Sequence, residues 1–404
     1  IKNAQAINGG QMPTDQLGVT ALDDYTLQVE LEYPAPYLPG LFKHYTAFPL
    51  PQHVVEEHGD NWTSPENIVV NGPYKLVEWR TGDFIRSVKN PKFFDADSLC
   101  FEEVVYYTAS DHDAMVRLAQ AGQIDMNNSF PTGRLQDTEE KLPGWPRTEP
   151  MLATTYVVAN QTREPFDDVR VRQALAMAMD REYITTSILQ GGENPTYSFV
   201  PPTIAGYPDH AEFSWKDMSR EERLAEAQSL LSEAGFGPGN PLEFEYQYRA
   251  TGNNPRIAPV LQANWSDIAD WVRPAIRQME TQALYNSLQN SDYALSDAGW
   301  LADYNDAYNF LYLMDSGTGP MNYGRYNSPE YDAALRASNQ ELDPARRAEL
   351  LKQAEQILLD DVAAMPLLNT VTQEIIDPNL TGVIDNAERI HRARFMCRAS
   401  MQQE

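Results

Sequence analysis

Residues 297–306 concentrate side chains that could recognise a charged ligand. They read DAGWLADYND, which places Trp300, Tyr304 and the carboxylates of Asp297, Asp303 and Asp306 around a glycine. An aromatic pair offers flat apolar contact, and a fixed carboxylate holds a cationic amine through charge-assisted hydrogen bonds. The segment therefore predicts a site for an ammonium group beside hydrocarbon. The alternative from composition is a strand end followed by an ordinary polar turn.

Signatures of catalysis are absent from the sequence. It contains no GxSxG, HExxH, GxxxxGK[ST] or GxGxxG motif. Its six histidines show no metal-ligand spacing, which predicts structural or solvated roles for them. Asp111, His112 and Asp113 are adjacent, and a turn or helix cap explains them better than part of a catalytic triad does.

Charge and hydropathy exclude several classes of function. The chain has 31 basic and 58 acidic residues, a formal net charge of −27. Nucleic acids and anionic membrane surfaces are bound through basic patches, so this balance argues against both. No apolar run reaches the roughly 18 residues that a membrane span requires. Cys100 and Cys397 either pair once or stay free, which leaves the redox compartment open.

Strands and helices of several kinds must position the candidate site. Alternating apolar residues predict half-buried strands at residues 25–31 and 242–248, and residues 74–79 and 103–107 are further strand candidates. Capping patterns predict helices that begin after Asp167 or Asp168, after Ser219 and at Asp343-Pro344. Segments rich in Pro and Gly predict loops at residues 201–208 and 235–241. A mixed α/β or α+β architecture with more than one core follows.

Seven segments, taken in order along the chain, resemble the substrate-binding proteins of bacterial ABC importers for peptides, the oligopeptide- and dipeptide-binding family (solute-binding family 5). Each motif alone is modest, and the specificity comes from their order over nearly the whole chain. They are NGPYKL at 71–76, NPKFFD at 90–95, LAQAGQIDM at 118–126, PFDDVRVRQAL at 165–175, LLSEAGF at 230–236, GWLADYN at 299–305 and YNSPEYD at 326–332.

The resemblance implies an α/β fold of the two-lobed periplasmic-binding-protein type, in the class with an extra subdomain and here N-terminally truncated. Residues 1–53 would be the remnant of the extra subdomain. Residues 54–155 and 371–404 would form the core of lobe 1, and residues 156–370 would form lobe 2, with hinge strands near 155 and 370. Family members extend about a hundred residues further at the front, where the secretion signal lies. A periplasmic or extracytoplasmic location is therefore implied although this chain shows no signal peptide.

The resemblance also implies a function and site residues. Members capture peptides in the cleft between lobes and deliver them to an ABC permease, as monomers without catalysis or cofactor. The Asp of the GWxADYN motif, here Asp303, pairs with the peptide's N-terminal ammonium. Strand-like main-chain hydrogen bonds hold the peptide backbone. The ligand-binding residues expected on this wall are Trp300, Leu301, Ala302, Asp303, Tyr304 and Asn305.

The sequence departs from the family pattern before this motif. Residues 286–298 contain no Arg or Lys, and Asp297 stands at a position where oligopeptide binders carry an Arg. Capture of a ligand carboxylate on this wall is therefore in doubt. If Asp297 faces the ligand beside Asp303, it favours a more cationic ligand such as a basic peptide. Alternatively, Asp297 points away from the ligand.

Two other classes of function compete with peptide binding. One is a hydrolase, an esterase or peptidase, on a binding-protein scaffold, because fold does not fix function. The other is a binder of nickel, haem or a sugar, which relatives of the peptide family carry. The lack of organised histidines argues against a metal. Trp300, Tyr304 and Tyr308 could stack on a sugar.

Overall fold

The computed structural model describes residues 1–108 and 111–400, and its strands form several separate sheets. The strands are β1 (Val19–Asp23), β2 (Thr26–Val29), β3 (Tyr74–Arg80), β4 (Phe84–Lys89), β5 (Glu103–Tyr107), β6 (Met126–Asn127), β7 (Pro146–Arg147), β8 (Pro150–Ala159), β9 (Asn194–Pro195), β10 (Leu242–Arg249), β11 (Val272–Met279), β12 (Leu295–Leu301), β13 (Met365–Val371), β14 (Glu374–Ile376), β15 (Leu380–Thr381) and β16 (Cys397–Arg398).

Helices connect and cover these strands. They are α1 (Ala4–Asn8), α2 (Leu38–Leu41), α3 (Gln52–His58), α4 (His112–Gln120), α5 (Leu135–Lys141), α6 (Val169–Ala178), α7 (Arg181–Tyr183), α8 (Arg220–Glu233), α9 (Asn254–Ser266), α10 (Thr281–Gln289), α11 (Tyr308–Leu311), α12 (Pro329–Gln340) and α13 (Pro344–Asp360).

The largest sheet has the strand order β11-β10-β12-β8-β13-β9. β10 runs parallel to β11 and β12, whereas β8 is antiparallel to both of its neighbours, β12 and β13. Leu242, Phe244 and Tyr246 are buried on one face of β10, as the alternation predicts. Helices pack on this sheet around the fully buried Trp265. We refer to the part of the chain built on this core as lobe 2, and to the part that holds the smaller sheets after residue 53 as lobe 1.

Helix starts in lobe 2 follow the sequence signals. Asp168 caps α6 by accepting a hydrogen bond from the Arg170 amide, so the second of the two predicted Asp residues is the cap. Ser219 and Glu222 form the predicted capping box of α8. Asp343 caps α13, with proline at its first position. These caps satisfy amide groups that lack partners within the helix.

Lobe 1 is built from smaller sheets and two small apolar clusters. The sheets have the orders β6-β14-β7, β15-β16 and β3-β4-β5. Ile375 packs in one cluster with Val116 and Phe130, and its neighbour Ile376 packs in the other with Met396. Adjacent residues of a strand face opposite sides, so β14 serves both clusters. Cys100 and Cys397 form a disulfide with Cα atoms 5.3 Å apart, which resolves their open pairing.

The chain crosses between the lobes twice, side by side. One crossing leads from β7 into β8 and the other from β13 into β14. The Thr372 amide donates to the Glu149 carbonyl at 2.7 Å, and the Glu149 amide donates to Thr372 Oγ1 at 2.8 Å. The boundary predicted at residue 155 falls inside β8, because this strand already pairs with β13 from Pro150 onward. The predicted crossing near 370 lies at the end of β13.

The N-terminal segment is the least buried part of the chain. None of residues 1–50, all of which the structure describes, is buried. The strand predicted at residues 25–31 is instead the second strand of the β1–β2 hairpin and ends at Val29. Its predicted half-burial is wrong, because no element of the described chain covers the hairpin and Tyr25 is 99% exposed.

Candidate functional site

The candidate site begins where β12 ends. Leu301 is the last residue of β12, and the Ala302 amide then donates to the Leu152 carbonyl at 2.9 Å, which extends the contact with β8. Exposure alternates along the next residues: Leu301, Asp303 and Asn305 are exposed, whereas Ala302 and Tyr304 are buried. The sequence-predicted residues therefore divide into an outward set and an inward set.

β12 also has an unpaired edge beside the site. β10 pairs only with Leu295 and Ser296 of β12, whereas β8 pairs with β12 through Leu301. Backbone groups of a strand alternate in direction, and Ala302 points toward β8. By this alternation the amide and carbonyl groups of Gly299 and Leu301 point away from β8, beyond the end of the β10 pairing. An extended segment could hydrogen-bond to them there.

Asp303 presents a carboxylate with little protein around it. Its side chain is 48% exposed, and His44 Nε2 lies 3.7 Å from its Oδ1 atom. His44 Nδ1 shares a hydrogen bond of 2.8 Å with Thr46 Oγ1 and accepts from the Thr46 amide at 3.5 Å. The other ring nitrogen, Nε2, faces Asp303. The carboxylate thus keeps room for a ligand donor.

Trp300 is fixed by contacts within lobe 2. Its Nε1 atom donates to Asn309 Oδ1 at 2.6 Å, and its ring lies edge-on to Tyr312 with centroids 6.1 Å apart. The indole is partly buried. The indole N–H, the only polar group of this side chain, is already hydrogen-bonded. The Trp300 side chain can therefore offer a ligand only apolar contact.

An aromatic stack joins the N-terminal segment to lobe 2. The Tyr37 ring stacks on Tyr304 and Tyr308, with centroids 5.0 and 5.3 Å away. Arg347 lies over Tyr37 and binds both carboxylate oxygens of Asp306 at 2.8 Å. Burial raises the pKa of the Tyr37 and Tyr304 phenols, which stay neutral. Tyr304 therefore supports the site from behind.

Asp297 lies behind the site and has a cation of its own. Its side chain is 1% exposed, and Arg249 Nε donates to its Oδ2 atom at 2.8 Å. The Arg249 amide donates to Oδ1 at 3.2 Å. Burial raises the pKa of the Asp297 carboxyl, although the positive charge and hydrogen bonds of Arg249 act to lower this pKa. Asp297 therefore points into the protein, as the second alternative expects. The interpretation in which Asp297 offers a cationic ligand a second free carboxylate loses its support.

Asn305 connects the site to a loop and to a cavity. Its Oδ1 atom accepts from the Ala205 amide at 2.8 Å, within the predicted loop 201–208. It also lines a cavity of about 420 Å³, together with Lys43 and residues that follow β15. Asn305 is thus held by lobe 2 while facing a space bordered by other parts of the chain.

Metal and membrane roles find no support in the part of the chain that the structure describes. There, no group of three His, Cys, Asp or Glu side chains could hold a metal ion. Likewise, none of the helices at residues 1–108 and 111–400 is long and apolar enough to cross a bilayer.

Two lobes joined by paired crossings, with exposed polar groups at their border, are typical of binding proteins that close over a ligand. The family model of the bacterial extracellular solute-binding proteins, family 5 (middle part), matches residues 1–322, and the chain belongs to this family. The resemblance and the two-lobed fold predicted from the sequence are thereby confirmed.

Individual relatives cover nearly the whole chain. The periplasmic oligopeptide-binding protein OppA of Salmonella typhimurium is 34% identical over 95% of this chain and 70% of its own length. The solved Escherichia coli murein tripeptide binding protein MppA has a TM-score of 0.87 and 33% identity, covering 98% of this chain and 78% of that one. Haemophilus influenzae OppA in complex with RPPGFSPFR has a TM-score of 0.86 and 30% identity, with the same coverage.

Sequence reasoning missed the residues that reach the site from distant parts of the chain. His44 was predicted to be structural or solvated, and no motif in the sequence singled out Tyr37. Arg249, which neutralises Asp297, lies 48 residues before it. The sequence offered one signal, the charge of Asp297. An acidic residue that is buried in a strand requires a cation nearby.

Proposed function

We propose that this chain is an extracytoplasmic solute-binding protein that captures peptides between its lobes and delivers them to an ABC permease. The observation that carries the proposal is the exposed Asp303 carboxylate beside the unpaired edge of β12. A carboxylate holds an N-terminal ammonium by charge-assisted hydrogen bonds. Main-chain groups of Gly299 and Leu301 hold an extended peptide irrespective of its sequence.

The relatives support this proposal. The names of two of them state oligopeptide and murein tripeptide binding, and a third was solved with a peptide. Leu301 and Trp300 would provide apolar contact beside the peptide backbone, and Asn305 would face the ligand's next residue. Tyr304 and Ala302, being buried, would shape this wall through packing and backbone groups.

The proposal assigns no catalytic role to the chain. One set of contacts has the order of a catalytic triad: the Thr46 hydroxyl contacts His44, and His44 contacts the Asp303 carboxylate. The Thr46–His44 contact is a local one, in which His44 caps the short helical turn Tyr45–Ala47. The arrangement instead positions His44 against Asp303.

Calorimetric titration with trialanine and with N-acetyl-trialanine tests the proposal. Wild-type protein should bind trialanine saturably and the acetylated peptide more weakly. Asp303→Asn should weaken trialanine binding by about 1.5–3 kcal/mol, because a charge-assisted hydrogen bond is lost. Asp270→Asn, at an exposed position in lobe 2, is the matched control and should leave binding unchanged. Failure of a mixed peptide pool to bind wild-type protein would overturn the function.

Unchanged trialanine affinity in Asp303→Asn would overturn only the role of that residue. Equal binding of the acetylated and free peptides would do the same, because acetylation removes the charge that Asp303 is proposed to bind. The two results separate the site assignment from the class of ligand.

A further inference from the structure

A cavity of about 420 Å³ extends the site away from Asp303. Asn305 belongs to both, and Lys43, Glu388, His391 and Arg392 also line the cavity. Asn305 is two residues after Asp303, so their Cα atoms lie at most about 7 Å apart. Lys43 is next to His44, which contacts Asp303. The cavity thus begins within one or two peptide units of the exposed carboxylate.

Among the described residues around the cavity, Arg392 is a basic residue without a carboxylate partner. Within the described residues, its guanidinium takes part in no hydrogen bond or ion pair, and the residue is exposed. The neighbouring cations all have carboxylate partners. The pairs are Lys43–Glu388 at 2.5 Å, Arg147–Asp385 at 3.1 Å, Arg389–Glu374 at 3.3 Å and Arg394–Asp95 at 3.8 Å. Arg392 is therefore available to a ligand anion, whereas these four cations are already paired.

His391 adds a second unsatisfied polar group. Its side chain is 4% exposed, and its Nε2 atom lies 3.0 Å from Glu374 Oε2. Its Nδ1 atom is buried and has no hydrogen-bond partner among the described residues. Buried polar atoms are nearly always satisfied by protein, water or ligand. The cavity wall therefore holds an unpaired cation, Arg392, next to His391, whose buried Nδ1 atom is unsatisfied.

From this juxtaposition we propose that the cavity binds the carboxylate end of the ligand, with Arg392 as its ion-pair partner. This rests on the proposed function, in which Asp303 holds the ammonium end. The site then suits a short zwitterionic peptide, since a tripeptide spans about 10 Å. Residues 286–298 contain no basic side chain, and Arg392 supplies a cation at the cavity that Asn305 also lines. The ligand's two charges would thus engage both lobes.

The test compares trialanine with trialanine amide, which lacks the terminal charge, by calorimetry. Arg392→Gln should weaken trialanine binding about tenfold, the loss of one charge-assisted contact. It should leave binding of the amide unchanged. Arg346→Gln is the matched control, because Arg346 is also exposed and lies on α13 away from the cavity. It should bind both peptides as the wild type does.

Equal losses for the acid and the amide in Arg392→Gln, or no loss for either, would overturn the inference. Both outcomes leave the proposed function standing if wild-type protein binds the peptides. Absence of binding to wild-type protein would overturn the proposed function itself. A circular dichroism spectrum of Arg392→Gln that matches the wild type excludes misfolding as the cause of a loss.

Discussion

Asp297 and Asp303 lie six residues apart and have opposite surroundings. Asp297 is buried and bonded to Arg249, whereas Asp303 is half exposed and faces a single imidazole. The sequence pointed to residues 297–306 as the site for an ammonium group, and this assignment stays a prediction. It could not determine which carboxylate faces out, because that depends on strand register and on a partner in β10.

Removing the Asp297 carboxylate should destabilise the fold without touching the ligand. Asp297→Ala would leave the largely buried Arg249 guanidinium without its partner, which costs about 3–5 kcal/mol in the free energy of unfolding. Urea unfolding measures this loss. The double variant Asp297→Leu with Arg249→Met should recover most of it, because no charge is then buried alone. Full stability of Asp297→Ala, with weakened peptide binding, would instead place Asp297 at the ligand.

At the scale of elements, α13 organises the loop that borders the site. Glu355 on this helix is fully buried and accepts hydrogen bonds from Ser198 Oγ and the Val200 amide, both at 2.7 Å. It also accepts from Tyr207 Oη at 2.6 Å and the Ala211 amide at 3.3 Å. One carboxylate thereby holds both ends of the loop that bonds to Asn305.

Glu355 should make stability depend on pH. Burial raises the pKa of its carboxyl above the usual 4.5, so above that pH the folded protein holds this proton more tightly than the unfolded chain does. Its contribution to the free energy of unfolding therefore grows as pH falls toward 4.5 and is lost as pH rises through the folded pKa. The slope is at most about 1.4 kcal/mol per pH unit.

Urea unfolding of wild type and Glu355→Gln across this pH window measures the effect. The variant should be less stable by about 1–3 kcal/mol, because an amide cannot accept from all four donors. The difference between the two proteins should widen as pH falls. Glu349→Gln, at an exposed position of the same helix, is the control and should show no such change. A difference independent of pH would contradict the raised pKa.

Local signals predicted elements well and long-range contacts poorly. β5 has the bounds of the predicted strand at residues 103–107, and α8 begins at its capping box. The strand predicted at residues 25–31 failed, because alternation indicates which face could be buried but not whether anything covers it. His44 and Arg392 reach the site through tertiary contacts that no local pattern in the sequence specifies.

At the scale of the whole molecule, the two lobes differ in how they are held together. Lobe 2 has one large apolar core, whereas lobe 1 has two small clusters. The disulfide between Cys100 and Cys397 links positions 297 residues apart within lobe 1. A cross-link over so long a loop restricts the unfolded chain strongly and adds stability where the apolar core is small.

Removing this disulfide should therefore weaken lobe 1 selectively. Replacing both cysteines with serine should cost about 2–5 kcal/mol in the stability of that lobe. Hydrogen exchange followed by mass spectrometry should show faster exchange in β14, β15 and β16 and unchanged protection in β10 and β12. The large core of lobe 2 is the internal control. Equal acceleration in both lobes would show that they unfold as one unit.

The same disulfide also affects when a newly made chain becomes able to bind its ligand tightly. Cys397 lies five residues after Arg392, in strand β16, which follows the cavity-lining residues, so the bond anchors the segment that carries Arg392. Disulfides form in oxidising compartments and are reduced in the cytosol. Maturation of the carboxylate pocket would then follow export, and newly made chains still inside the cell would hold peptides less tightly than the same chains outside.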